Sequence, residues 1–122
     1  MSGEWRKEWE WHADKESERY DAMSVPRLVE EIRRGHVGDY HTIWYALARR
    51  ASLSDAADVL LGVLESDRPY LERYHAAASL LELLQSQEFE PEELSAGRFP
   101  LAENLARFRA LVTARLRGSS GN

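Results

Sequence analysis

Apolar residues along this chain recur with the period of an α-helix in almost every segment, and none shows the alternation of a half-buried strand. That pattern predicts an all-α fold. The spacing predicts a first helix from Glu4 to Met23, with Trp5, Trp9, His12, Glu16 and Tyr20 along one stripe. A second helix opens at Ser24, a good N-cap type, with Pro26 in the first turn, where its missing N–H costs nothing. Val25, Leu28, Val29 and Ile32 form its apolar face, and Gly35 stands where a left-handed C-cap is wanted, behind Arg33 and Arg34. Asp39 is the expected cap of a third helix carrying Tyr40, Ile43, Trp44, Leu47 and Ala51. Ser54 is the expected cap of a fourth, with Ala56, Val59, Leu60, Val63 and Leu64 facing inward. The turn Ser66-Asp67-Arg68-Pro69 leads into a fifth, whose stripe is Tyr70, Tyr74, Ala77, Leu81 and Leu84.

From Gln85 to Pro100 the period fails. Pro91, Pro100, Gly97 and a run of glutamates predict a long acidic connection with one helical turn at Pro91–Leu94. A last helix is expected from Pro100 to Arg117, carrying Leu101, Leu105, Phe108, Leu111 and Val112, with Gly118 ending it and Ser119 to Asn122 a loose tail. The expected organisation is one domain of about six helices. It divides into a Trp-rich N-terminal helix through residue 23, helical hairpins over 24–85, an acidic loop over 86–99, a helix over 100–117 and a tail over 118–122.

The central helices repeat. Shifted by 32 residues, Val25, Leu28, Val29 and Ile32 fall on Ala57, Leu60, Leu61 and Leu64; shifted by 33, Ile43, Trp44 and Leu47 fall on Ala76, Ala77 and Leu80. Val25-Pro26-Arg27-Leu28-Val29-Glu30-Glu31-Ile32 resembles the second helix of a short, bacterial-type HEAT-like unit. Arg73-Tyr74-His75-Ala76-Ala77-Ala78-Ser79-Leu80 resembles the first, an arginine followed by small residues and then leucine. The resemblance covers about residues 24–85 and implies a short solenoid-like stack of two HEAT-like hairpins, with the flanking helices as caps. Trp44 and Tyr45 depart from it, standing where the first copy wants a small pair.

Charge and composition narrow the function classes. The net charge of −5 disfavours general affinity for nucleic acid, which needs a concentrated positive surface. Glu82, Glu88, Glu90, Glu92 and Glu93 gather in one region, and Arg98, Arg107, Arg109, Arg115 and Arg117 follow in the next. No stretch reaches the ~20 apolar residues that cross a bilayer, and no secretory leader pattern opens the chain. With no cysteine, disulfides and thiolate chemistry are excluded, and the expected compartment is the cytoplasm.

Nucleophile elbows, phosphate-binding glycine loops and dinucleotide fingerprints are absent from the sequence. Glu72 and His75 have the spacing of a helix-borne metal pair, but the chain contains only one such pair. His36 and His41, with Asp39 between them, are a second thin candidate. Neither is expected to hold a metal, and no cofactor is expected. Carboxylate pairs such as Asp55/Asp58 and Glu30/Glu31 read as solvated helix surface, and Gly62 inside the fourth helix reads as a close helix contact.

Aromatic residues carry the functional expectation. Trp5 and Trp9 share a helix face, while Trp11 points ~160° away from Trp9. The helix bearing Trp5, Trp9 and Trp11 is therefore expected to meet a partner protein or a second copy of the chain through these residues. His41, Tyr45, Tyr70 and His75 are expected as a polar-aromatic strip on equivalent helices of the two hairpins, with Trp44 and Tyr74 in the core. The expected function is a non-catalytic protein-interaction module, in its sharpest form an acidic inhibitor or immunity-type protein masking a basic partner. Self-assembly into a homodimer, and a metal- or nucleic-acid-linked HEAT-like role, stay open as alternatives.

Overall fold

The computed structural model describes residues 2–120, with side chains from 5 to 118. It is all-helical: α1 (Ser2–Asp21), α2 (Val25–Arg34), α3 (Thr42–Arg50), α4 (Leu53–Leu64), α5 (Tyr70–Leu84), a 3₁₀ turn (Pro91–Leu94) and α6 (Leu101–Ser120). Among the described residues there is no strand, and no helix is long and apolar enough to cross a membrane.

Helix α4 is the central element, because more than half of its circumference is apolar and buried. Ala56, Ala57, Val59, Leu60, Leu61, Val63 and Leu64 are all buried. Helix α5 packs along it, with Ala76 and Ala77 fully buried so that the two axes approach closely. Helix α2 packs on α3 and α4, and α3 on α5. Leu28, Ile32, Ile43, Trp44 and Leu47 complete this part of the core. Removing any one of the buried leucines for alanine would cost about 2–5 kcal/mol.

The ends of α2 follow its sequence. Ser24 Oγ accepts the Arg27 N–H at 3.2 Å, and Gly35 adopts φ 82°, returning its N–H to the end of the helix. Elsewhere the boundaries move. The cap of α4 is Ser52, not Ser54, because Ser52 stands three residues before Asp55 and so completes a reciprocal capping box. Asp39 does not cap α3; the helix begins after His41, which takes φ 58° and makes no side-chain cap bond. Gly118 does not end α6, which continues to Ser120. The rest of the expected tail, Gly121 and Asn122, lies outside the described residues.

The acidic connection does more than link. Phe89 and Leu94 leave it for the core, Phe89 meeting Phe108 of α6 edge to face at 5.7 Å. Asn104 donates from Nδ2 to the Glu93 carbonyl at 2.8 Å, and Arg73 donates from a guanidinium N–H to the Ser95 carbonyl at 2.9 Å. These bonds hold the 3₁₀ turn against α5 and α6. Glu88 and Glu90 stay exposed, Glu92 and Glu93 are partly covered, and Phe89 and Leu94 go in, which explains how so charged a segment is ordered.

Candidate interaction surface

Helix α1 meets the body mainly through its last two turns. Among its described side chains, Tyr20 alone belongs to the hydrophobic core, and Tyr20 Oη donates to the His36 carbonyl at 3.1 Å. One turn earlier, the Glu16 carboxylate sits on the bare amides that precede α3. Its Oε1 accepts the N–H of Asp39 at 2.7 Å and of Tyr40 at 3.2 Å, and its Oε2 accepts Thr42 N–H at 3.1 Å and Thr42 Oγ1 at 2.6 Å. Burial works to raise the Glu16 pKa, but the bonds from Thr42, Tyr40 and Asp39 outweigh it and hold the carboxyl below its ordinary value. Gly38 is what lets the carboxylate in. Its φ is +75°, and a Cβ there would lie 2.1 Å from Glu16 Oε1.

An open groove of about 370 Å³ runs beside this latch, lined by His12, Lys15, Glu16, Arg19, Asp39 and Tyr40 among others. Its buried carboxylate, Glu16, accepts four hydrogen bonds, which favour the ionised form. The chemistry of Glu16 is that of a helix cap supplied from another helix.

The first turns of α1 stand apart. The expected stripe holds for Glu16 and Tyr20 but not for its tryptophans: Trp5 is 70% exposed and Trp9 48%. Trp9 meets Tyr40 edge to face at 5.6 Å, and His12 stacks parallel to the same ring at 6.4 Å. Trp11, 56% exposed, touches His12 and lies under the Lys15 ammonium, both on its own helix.

The second aromatic set is assembled. His75 of α5 stacks on His41 with ring centroids 4.7 Å apart and on Trp44 at 6.2 Å, and meets Tyr45 and Tyr74 edge-on at 6.2 and 5.6 Å. Tyr70 joins through Tyr74 at 6.0 Å. Trp44 is buried and its Nε1–H donates to His41 Nδ1 at 3.2 Å, which fixes the His41 ring in its unusual left-handed backbone. Burial, then the charge of His41, lowers the His75 pKa, so the hub of the cluster is neutral near pH 7. At the rim, Tyr45 is 55% and Tyr70 40% exposed. The fifth-helix stripe is thus corrected: Ala77, Leu81 and Leu84 are buried, whereas Tyr70 faces outward and Tyr74 is only partly covered.

The candidate ligand sets separate. Glu72 pairs with Arg68 at 3.7 Å while His75 turns to His41. His36 Nδ1 pairs with Glu31 at 3.3 Å, away from His41. Among the described residues no three His, Asp or Glu side chains converge. Glu30 is held by Arg33 and Arg34, and Glu31 by Arg27 as well as His36. Gly62 is not a close contact either, since a Cβ there would meet nothing within 4 Å.

Three arginines of α6 bind groups of this same chain at the surface. Arg107 lies over Phe89 at 5.2 Å, Arg109 forks onto the Glu65 carboxylate, and Arg115 donates to the Leu84 carbonyl at 2.9 Å. Three cations that sequence alone leaves open for a polyanion thus tie α6 to its neighbours. Comparison of the chain with protein-family models, with curated proteins and with solved structures found no match in any of the three.

Proposed function

We propose that this chain is a non-catalytic protein-interaction module, and that its contact surface is the strip made by His41, Tyr45, Tyr70 and His75. One observation carries the reading: Tyr45 and Tyr70 remain about half exposed although the rings beneath them are packed and bonded in place. Tyrosine held rigidly at a surface brings large contact area at low entropic cost, which is why such residues are enriched among interface hot spots. The packing of α2 on α4 and of α3 on α5 supports reading the four central helices as two stacked HEAT-like hairpins, with the strip on one face of the stack. The net charge of −5 favours a basic partner, as an inhibitor or immunity-type protein would require.

The test is affinity capture from native cells with the wild-type chain and with Tyr45→Ala/Tyr70→Ala, at low and moderate salt. A stoichiometric protein that the wild type retains, and that both salt and the double substitution release, supports the reading. Equal retention by the double variant would sink this surface.

A second reading has its own observation. Trp5 and Trp9 on one face of α1 and Trp11 on the opposite face are all exposed, which favours self-association through that helix. Sedimentation velocity across concentration decides it, with a concentration-dependent dimer abolished by Trp11→Ala as the supporting result.

A further inference from the structure

We propose that Ser52 is a modification site, the phosphoacceptor of a protein kinase that reads arginine, and that a phosphate there loosens the end of α1 from the end of α3.

The sequence supplies the first observation. Ser52 stands in the run Arg49-Arg50-Ala51-Ser52-Leu53, with guanidinium groups three and two residues before the hydroxyl and an apolar side chain after it. A kinase whose substrate groove is lined by carboxylates selects that arrangement, because a guanidinium forks onto a carboxylate through two parallel N–H bonds. No other serine or threonine of the chain has arginine at both positions. The second arginine pair, Arg33-Arg34, is followed at the matching position by His36, which has no hydroxyl.

The fold supplies the second. Ser52 is exposed, as are Arg49 and Arg50, whereas Ser79 and Ser95 are buried. Ser52 lies in the two-residue link between α3 and α4. There Ala51 (φ −84°, ψ 150°) and Ser52 (φ −83°, ψ 166°) are extended, as a segment must be to lie along a groove. The arginines are held by exposed groups: Arg49 pairs with Asp21 at 2.6 Å, and Arg50 donates to the Asp21 and Met23 carbonyls. Exposed contacts of that kind are weak and exchange readily for the carboxylates of a kinase.

In the transfer, Ser52 Oγ attacks the γ-phosphorus of ATP. The new O–P bond forms as the bond to the β,γ-bridging oxygen breaks. ADP leaves with that electron pair, and the hydroxyl proton passes to the catalytic carboxylate of the kinase. The ester carries about two negative charges at pH 7. It repels Asp55, whose carboxylate accepts the Ser52 N–H at 3.2 Å, and it competes with Asp21 for the Arg49 guanidinium three residues away. Loss of the Asp21–Arg49 pair weakens the hold of α3 on the end of α1.

The experiment treats the folded full chain with magnesium–ATP and the catalytic subunit of cyclic-AMP-dependent protein kinase, which prefers paired arginines. Intact mass and peptide mapping are the readouts. The wild type should take one phosphate, on Ser52. Ser52→Ala should take none and Ser54→Ala should match the wild type, with circular dichroism confirming that both fold. Arg49→Gln/Arg50→Gln should slow incorporation about tenfold. In the phosphorylated chain the amides of Ala22 and Met23, bonded to the Glu18 and Tyr20 carbonyls, should exchange about threefold faster.

Modification of an isolated peptide spanning 46–56, with none of the folded chain, would show that the fold closes the site and would overturn the proposal. Phosphate on Ser54, or a rate indifferent to loss of the arginines, would overturn it equally. Phosphate on Ser52 with unchanged exchange at Ala22 and Met23 would overturn the coupling to α1.

Discussion

Helix α4 takes its cap from Ser52 and Asp55, at the start of the helix itself, whereas α3 takes its cap from Glu16, 26 residues before Thr42. Both helices begin with bare amides that need acceptors. The local cap satisfies them by folding the chain back on itself, and it would form in an isolated helix. The distant cap forms only when α1 has docked, so the same hydrogen bonds both start α3 and fasten α1 to the body. One carboxylate thereby couples two helices that share little apolar surface, since among the described side chains of α1 Tyr20 alone lies in the core.

The comparison can be broken most forcefully at Glu16. Replacement by alanine leaves the amides of Asp39, Tyr40 and Thr42 without their acceptor and should cost about 3 kcal/mol, read as a lower urea midpoint with loss of α1 helicity. Acidity should do the same gradually. The folded Glu16 pKa lies below its ordinary value of 4.5, so its contribution is whole above that pH and is lost as pH falls through the lowered value. A chain carrying Glu16→Gln should show a shallower loss of stability between neutral and acid pH; an identical pH profile would mean that other carboxylates dominate acid unfolding.

A smaller effect is expected at the local cap. Ser52→Ala should cost about 1 kcal/mol, with hydrogen exchange quickening in the first turn of α4 and α1 staying protected. If Ser52→Ala loosened α1 as much as Glu16→Ala, the distinction between local and distant caps would fail. The smallest change goes the other way. Gly62 lies exposed inside α4 with open space around it, so Gly62→Ala should stabilise the chain by up to about 1 kcal/mol. Destabilisation in thermal melts would show that the position needs glycine for a contact with another molecule.

These cases mark how far the sequence is legible. The α2 helix could be read to the residue, because Ser24, Pro26 and Gly35 act on backbone within a turn of themselves. The cap of α3 could not, since Asp39 has the right side chain but stands two residues before the N-cap His41, and the acceptor comes from another element. A signal existed: Glu16 is the one charged residue on the stripe that ends in Tyr20, and an acid on a buried stripe needs donors to meet it. Gly38 is the matching signal, a glycine where the carboxylate must pass. In the acidic connection, Phe89 and Leu94 were the apolar minority among glutamates, too irregularly spaced to give a period, and their burial depends on α6 lying above them.

The aromatic residues divide in the same way. Periodicity puts Tyr45 and His75 just off the buried stripe, and tertiary packing then gathers them with His41 and Tyr74 around one ring. Periodicity equally puts Trp5 and Trp9 on the stripe of α1, yet the body offers them little more than the edge of Tyr40. By itself the sequence determined the helical class, most element positions, the turn at Pro91–Leu94 and the caps of α2, all of which arise from forces acting within a few residues. Only the tertiary structure decided which amides Glu16 would bind, which arginines of α6 would be consumed internally and which tyrosines would stay exposed. Hydrogen bonds and ring contacts between distant segments depend on what lies across the gap, and the period of a helix says only which way a side chain faces.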